Sequence, residues 1–296
     1  MHGLDFTKRS LLIGGAGTLI AKFAQAQVRH SGSITLGQVS LSFYAVTGAI
    51  VHEILENLGH KVTLVEGPHE EIFPLLGAGK IDLMAAVWLP EGHAAYWEKY
   101  GRQAIEVVHL YENARFFWAT PNYVPEDVVR SISDLTKPDV MARMVKTIQG
   151  IGQGAAITNL SQRALAEYKL DAAGYAFSTG TQSEWISSLT EAIDKRQWIV
   201  FPTWAPQYLN EGGKIRPLSD PRGVLGGENH ASLAASGTRI EAIPERTLAV
   251  LRKVNIGLDG VTQMDGLVNA GRKSPREAAQ QWMSSNQVKV ESWFRI

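Results

Sequence analysis

From residue 34 onward, short apolar runs of strand length alternate with longer segments patterned as helices, which predicts α/β architecture. Strands over 34–40, 62–65 and 81–87, with helices over 47–58, 72–76 and 93–100, give three βα units. In 47–58, Ile50, Ile54 and Leu58 fall on one helical face and Gly59 punctuates the end. Residues 115–120 are extended and stop at Pro121; 122–139 is turn-rich. A second block follows, with strands 145–149, 175–178 and 198–201 and helices 156–168 and 183–195. The chain then passes through glycine- and proline-rich segments to a strand over 231–235. Its last 50 residues read as helical, with Pro244 and Pro275 placed as first-turn prolines. The expected architecture is two lobes, each a mostly parallel sheet flanked by helices. Residues 27–118 and 205–296 build the first and 119–204 the second, with crossings near 115–120 and 203–210. Ligands of open α/β sheets bind beyond the carboxyl ends of the strands, so the lobes should share a cleft there.

Residues 1–26 read as a cleavable export signal. Lys8 and Arg9 precede the apolar run 11–20, and Ala24-Gln25-Ala26 is an A-x-A-like cleavage site. Thr7-Lys8-Arg9-Ser10-Leu11-Leu12 resembles a twin-arginine signal with Lys in the first Arg position, and the ordinary secretory route stays open. The run is too short to span a bilayer. Without cysteine, neither a lipid anchor at a lipobox nor a thiolate metal site is expected, and the product should be a freely diffusing periplasmic monomer. Beyond the signal the chain carries 26 basic and 28 acidic side chains. Such a balance lacks the basic field of a nucleic-acid binder, so no nucleic-acid partner is expected.

Eight tryptophans make position informative. Trp88 closes the run 81–87 and is followed by Leu89-Pro90; Trp204 comes just after 198–201 and is followed by Ala205-Pro206. Both are Trp-x-Pro at the carboxyl end of an apolar strand, where side chains face the crevice. Phe116 and Trp118 share a face of the extended segment by period-two alternation, and Phe43-Tyr44 follows the first strand. Aromatic rings converging on one cleft suggest a cage for a quaternary ammonium, which has no N–H to donate and is held by cation–π attraction. Trp97, Trp185, Trp282 and Trp293 lie in helices and read as packing residues.

These residues carry a resemblance. The stretches 81–90, 150–161, 179–185 and 201–209 resemble the glycine betaine/proline betaine/choline-binding proteins of ABC importers. The resemblance implies a two-lobed, type II-like periplasmic binding protein, not an enzyme, that closes on a quaternary ammonium compound and passes it to an ABC permease in the inner membrane. Trp88 and Trp204 match cage positions. Phe43 or Tyr44 matches the position after the first strand, where Trp is common in relatives, and Phe116 matches an aromatic wall of choline-binding members. Choline binders often carry an acid just after the first cage aromatic; here Ala45-Val46 follow, which favours a betaine that brings its own carboxylate. For that carboxylate the candidates are the backbone at Gly154 and Ala155, where a glycine-rich turn opens a helix, with His69 and Gln207; Gln207 stands where some relatives have His.

Two other readings stay open. Gly150-x-Gly152-x-x-Ala155, between a strand and a helix, nearly satisfies a dinucleotide fingerprint, although the next strand ends in Thr179-Gly180-Thr181 with no acid. An exported oxidoreductase would fit that turn. His52, Glu53 and Glu56, with His60, His69 and His93 available for recruitment, would suit a divalent-metal binding protein.

Overall fold

The structure, a computed structural model, describes residues 32–296; the expected export segment 1–26 lies outside the described residues. Strand β1 (Ser33–Val39) leads into helix α1 (Ser42–Asn57), then β2 (Lys61–Gly67), α2 (His69–Gly77), β3 (Leu83–Leu89) and α3 (Ala94–Tyr100). The first two strands pair in parallel from Ser33↔Lys61 to Val39↔Gly67, and β3 joins the other side of β1, also parallel. Every residue of β3 is buried. That suits an apolar strand covered on both faces.

Helix α1 packs Ile50, Val51, Ile54 and Leu55 inward. It ends where Gly59 takes a φ of 89° and the N–H of His60 bonds back to the carbonyl of Leu55, a closure that favours glycine. It begins at Ser42, five residues earlier than the apolar spacing predicts, so Phe43 and Tyr44 sit in its first turn.

The long strand β4 (Ala104–Pro121) carries the chain out of the first lobe. A short helix α4 (Pro138–Met141) precedes the parallel pair β5 (Thr147–Gln149) and β6 (Ala176–Ser178), with α5 (Ala156–Glu167) and α6 (Gln182–Asp194) alternating with them. Thr181 and Glu184 form a capping box at the start of α6. Strand β7 (Phe201–Ala205) returns antiparallel to β4. After it come β8 (Ile215–Pro217), β9 (Asn229–Ser236) and helices α7 (Glu245–Leu251), α8 (Leu258–Asn269), α9 (Pro275–Ser285) and α10 (Gln287–Phe294). Pro244 flanks α7 and Pro275 opens α9 behind Ser274, which forms a capping box with Glu277.

The main sheet is mixed, in the order β2-β1-β3-β9-β4-β7, with β8 beside β4. Its parallel part is confined to β1, β2 and β3; β9 enters between β3 and β4, antiparallel to both. The long strand therefore has three partners in turn: β9 along Ala104 to Ala114, β7 along Arg115 to Ala119 and β8 along Ala119 to Pro121. Among the described residues, two hydrophobic clusters result. One runs through the first lobe and takes in Ile151, Ala155, Trp185 and Trp204 from the second. The other is built around Trp118, Val124, Ile132, Leu135, Ile148 and Leu170. Leu218, Val224 and Leu225, which follow the second crossing, also pack into it.

Candidate functional site

Trp88 and Trp204 occupy the next-to-last positions of β3 and β7. Both following X-Pro bonds, Leu89-Pro90 and Ala205-Pro206, are cis. Polar side chains hold the turns that follow. The Asn229 carbonyl accepts the N–H groups of Glu91 and Gly92 at 2.8 Å each, and the Asn210 amide donates to the Trp204 carbonyl at 2.8 Å. The Trp88 indole N–H donates to the Tyr111 hydroxyl at 2.8 Å, which fixes the ring.

Phe43 brings these two strand ends together. Its ring centroid lies 5.7 Å from that of Trp88 and 5.5 Å from that of Trp204. Tyr44 lies 4.0 Å from Phe43 and 6.3 Å from Trp88, and Phe116 lies 5.1 Å from Trp88. Phe116 and Trp204 are register partners on adjacent strands, so their side chains share one face. Gly92 makes room for this arrangement: a Cβ there would stand 2.8 Å from the Trp88 Cβ and 3.4 Å from the tip of Phe116. Behind Trp204, Trp185 stacks at 4.8 Å with 20° between planes and donates its indole N–H to the Pro202 carbonyl at 2.9 Å. The packing role expected of Trp185 is thus a role behind one wall of the ring cluster.

Trp118 is not brought to these rings. It is fully buried in the second lobe's own cluster, and its indole N–H donates to Ser161 Oγ at 2.9 Å. Strict alternation places it with Phe116, and both residues pair with β7, but Trp118 packs against Ser161 of α5 and the second cluster.

Histidines border the rings. His93, five residues past Trp88, accepts the Trp88 backbone N–H on Nδ1 at 2.9 Å, so in the neutral ring Nε2 carries the hydrogen and donates to the Tyr44 oxygen at 3.2 Å. The Tyr44 O–H is thereby left to donate elsewhere. His69 packs against Tyr44, His93 and Tyr96 at centroid distances of 6.1, 5.2 and 6.2 Å. Burial pushes the His69 pKa down to about 4. Burial, reinforced by His69, holds His93 well below the usual imidazole value, and burial with Tyr111 nearby holds the Tyr44 phenol well above its usual value. All three are neutral near pH 7. Sequence reasoning singles out His69 and misses His93 here; a titratable side chain one turn beyond a strand-end Trp is the signal that finds it.

Gln207 is fully buried. Its carbonyl accepts the Leu209 N–H at 2.6 Å, while its amide nitrogen, like the indole nitrogen of Trp204, is a buried donor with no hydrogen-bond partner among the described residues. The glycine-rich turn meets the first lobe: the Tyr96 hydroxyl donates to the Gly154 carbonyl at 3.0 Å, and the Glu70 carboxylate lies against Gly154 where any Cβ would collide. An acidic side chain of the protein therefore already stands beside the start of α5, next to Gly154 and Ala155, where a ligand carboxylate was expected.

The expected metal residues are dispersed. Glu53 and Glu56 both pair with Arg276 on α9, His52 lies beside Glu56 at 3.3 Å, and His60 bonds Thr247 at 2.7 Å. His69 and His93 belong to the aromatic cluster.

Comparison with known proteins agrees with this geometry. A family model described as the substrate binding domain of ABC-type glycine betaine transport system matches residues 32–285. The glycine betaine/carnitine transport binding protein GbuC of Listeria monocytogenes serotype 1/2a (strain 10403S) is 29% identical over 158 residues, 53% of this chain and 52% of that protein. The match thus spans about half the length of that curated relative. Lactococcal OpuAC, solved in its closed-liganded conformation with glycine betaine, is similar at a TM-score of 0.80 and 23% identity, over 90% of this chain and 100% of that one. The glycine betaine/L-proline-binding protein ProX of Borrelia burgdorferi gives 0.79 and 21% over 88% and 96%. An ABC-transporter choline binding protein in complex with choline gives 0.77 and 20% over 88% and 91%. At such identities the solved structures establish the fold, that of a two-lobed binding protein.

Proposed function

The chain belongs to the family of substrate-binding domains of ABC-type glycine betaine transport systems, and on that premise we propose that it captures a quaternary ammonium compound, glycine betaine or a related betaine, between its lobes. The observation that carries this is the contact of Phe43 with both Trp88 and Trp204, one ring from the start of α1 meeting a strand end of each lobe. Rings at these separations touch, so a trimethylammonium group enters only when the lobes part and the faces open. Each ring presented to the cation contributes roughly 0.5 to 2 kcal/mol once desolvated, and several together support micromolar recognition after the cost of closure.

Neutral His69 and His93 suit this cage, since an imidazolium beside it would repel the cation. The residues after the first aromatic pair, Ala45 and Val46, are buried and apolar, so no carboxylate comes from that position and a ligand carrying its own is favoured over choline. Its carboxylate would accept from the Tyr44 O–H, the Trp204 indole N–H and the Gln207 amide, buried donors that the protein leaves available. Delivery to an ABC permease in the inner membrane, and export to the periplasm with residues 1–26 as the signal, are part of this proposal, and membership of an ABC transport family supports them. Closure of the lobes around bound ligand is the change a permease would read. Calorimetric titration with glycine betaine, proline betaine, carnitine and choline tests the proposal: at least one betaine should bind, more tightly than choline, and silence with all four would refute it.

A further inference from the structure

Away from the cleft, the paired strands β4 and β9 bring Glu106, His109 and His230 together on the surface of the first lobe. His230 Nε2 lies 2.8 Å from Glu106 Oε2, and His109 Nε2 lies 3.6 Å from the same oxygen. The two imidazoles stack with centroids 3.7 Å apart and planes 16° from parallel, and one ligand atom of each of the three residues lies within 4.8 Å of the other two. A tetrahedral zinc ion with bonds near 2.0–2.1 Å spaces its ligand atoms about 3.3 Å apart, and the two measured separations bracket that value.

The surroundings add to this geometry. Glu112 Oε1 lies 2.8 Å from His109 Nδ1. That contact keeps the hydrogen on Nδ1 and turns the Nε2 lone pair toward Glu106, the carboxylate–histidine arrangement that orients metal-ligating imidazoles. Ser232 Oγ donates to Glu106 Oε2 at 2.5 Å and steadies the carboxylate.

We propose that Glu106, His109 and His230 form a surface site for a divalent transition-metal ion of the zinc class, with Glu112 positioning His109. Two imidazoles and one carboxylate favour zinc and its neighbours over the oxygen-seeking calcium and magnesium. The ligands come from two adjacent strands, so the ion would tie β4 to β9 beside Asn229, the residue that holds the turn after Trp88. Three protein ligands leave the remaining coordination to water.

The test is a calorimetric titration of zinc chloride into chelator-treated protein near pH 7.5, without betaine. One zinc ion per chain is expected. His109→Ala and His230→Ala should each weaken binding at least tenfold, and Glu112→Gln about tenfold. Calcium and magnesium should give no heat. Should an alanine variant fail to fold, His109→Gln gives the same reading, with betaine affinity as the folding control. No zinc binding by the unaltered protein, less than tenfold loss in both histidine variants, or loss in His52→Ala instead would overturn the site.

Discussion

Ser42 and Gln182, the first residues of α1 and α6, exchange two hydrogen bonds across the cleft: the Ser42 N–H donates to Gln182 Oε1 at 3.0 Å, and the Gln182 amide donates to Ser42 Oγ at 2.6 Å. Ser42 Oγ in turn donates to Asp265 Oδ1 at 2.5 Å, and Asp265 Oδ2 accepts the N–H of Tyr208, just past the return strand β7. A chain of polar contacts thus ties the second lobe to the first immediately beside Phe43. On the glycine-rich side, Tyr96 and Glu70 meet Gly154. The aromatic cluster lies in a molecule whose lobes are in contact at both places.

Removing the Gln182 side chain should loosen the closed state. Each such bond contributes about 0.5 to 1.5 kcal/mol net, so Gln182→Ala is expected to weaken betaine affinity about tenfold, chiefly through faster dissociation, with little change in melting temperature. Stopped-flow Trp fluorescence reads the rates. An unaltered dissociation rate would show that the contact does not hold the lobes together.

In the proposed cage, Tyr44 would separate the two halves of the ligand. Its ring borders the cage while its O–H is left to donate, and a hydrogen bond to a charged acceptor contributes roughly 1.5 to 3 kcal/mol. Tyr44→Phe should therefore lose about tenfold or more in glycine betaine affinity and leave choline affinity within about threefold. Equal losses for both ligands would place the hydroxyl's role elsewhere.

Acid should destabilise the fold. His69, with its pKa near 4 against an ordinary 6.5, and His93, also depressed, stay neutral when folded and gain protons on unfolding. Their contribution is full above about pH 6.5 and is lost as pH falls toward about 4. For His69 alone this corresponds to roughly 3 kcal/mol. Asp265 acts in the opposite sense: burial raises it to about 6 despite its hydrogen bonds, so its contribution is present at low pH and lost as pH rises through about 6. With two histidines against one aspartate, melting temperature should drop between pH 7 and pH 5, and His69→Gln should flatten the drop. Parallel profiles for the two proteins would count against this assignment.

Trp185 tests the support behind the cage. Trp185→Ala removes both the stack on Trp204 and the bond to Pro202 and should cost about 3 to 5 kcal/mol of stability, read by denaturant unfolding. Trp185→Phe keeps an aromatic face against Trp204 and should keep betaine affinity within about threefold. A larger loss of affinity in the folded Phe variant would make Trp185 part of the binding surface itself.

Much of the site is legible from local pattern, and what is not depends on long-range pairing. Trp88 and Trp204 stand out because each follows an apolar run and precedes x-Pro, which puts them at strand ends whatever the strand order. Strand order itself is invisible to period-two alternation: nothing local in 229–236 says that β9 inserts antiparallel between β3 and β4. Trp118 goes to the second core through contacts far along the chain, with Ser161 on its indole N–H and the Leu218 N–H on its carbonyl. Helix α1 begins at Ser42 with no side-chain cap on Leu41, held by Gln182 and Asp265 from far along the chain, contacts that spacing rules do not see. The glycine-rich turn is readable as a βα turn, but not that Glu70 and Tyr96 would meet it. His93 is visible as a residue and not as the acceptor for Trp88.

The central claim is that Trp88 and Trp204 are walls of a cage for a quaternary ammonium. Calorimetric titration of glycine betaine into the unaltered protein, Trp88→Ala and Trp204→Ala, each checked for folding by circular dichroism, tests it most directly. Binding in the micromolar range to the unaltered protein and a loss of at least tenfold in each folded variant is the predicted result. Affinity that survives unchanged in either variant would contradict the cage.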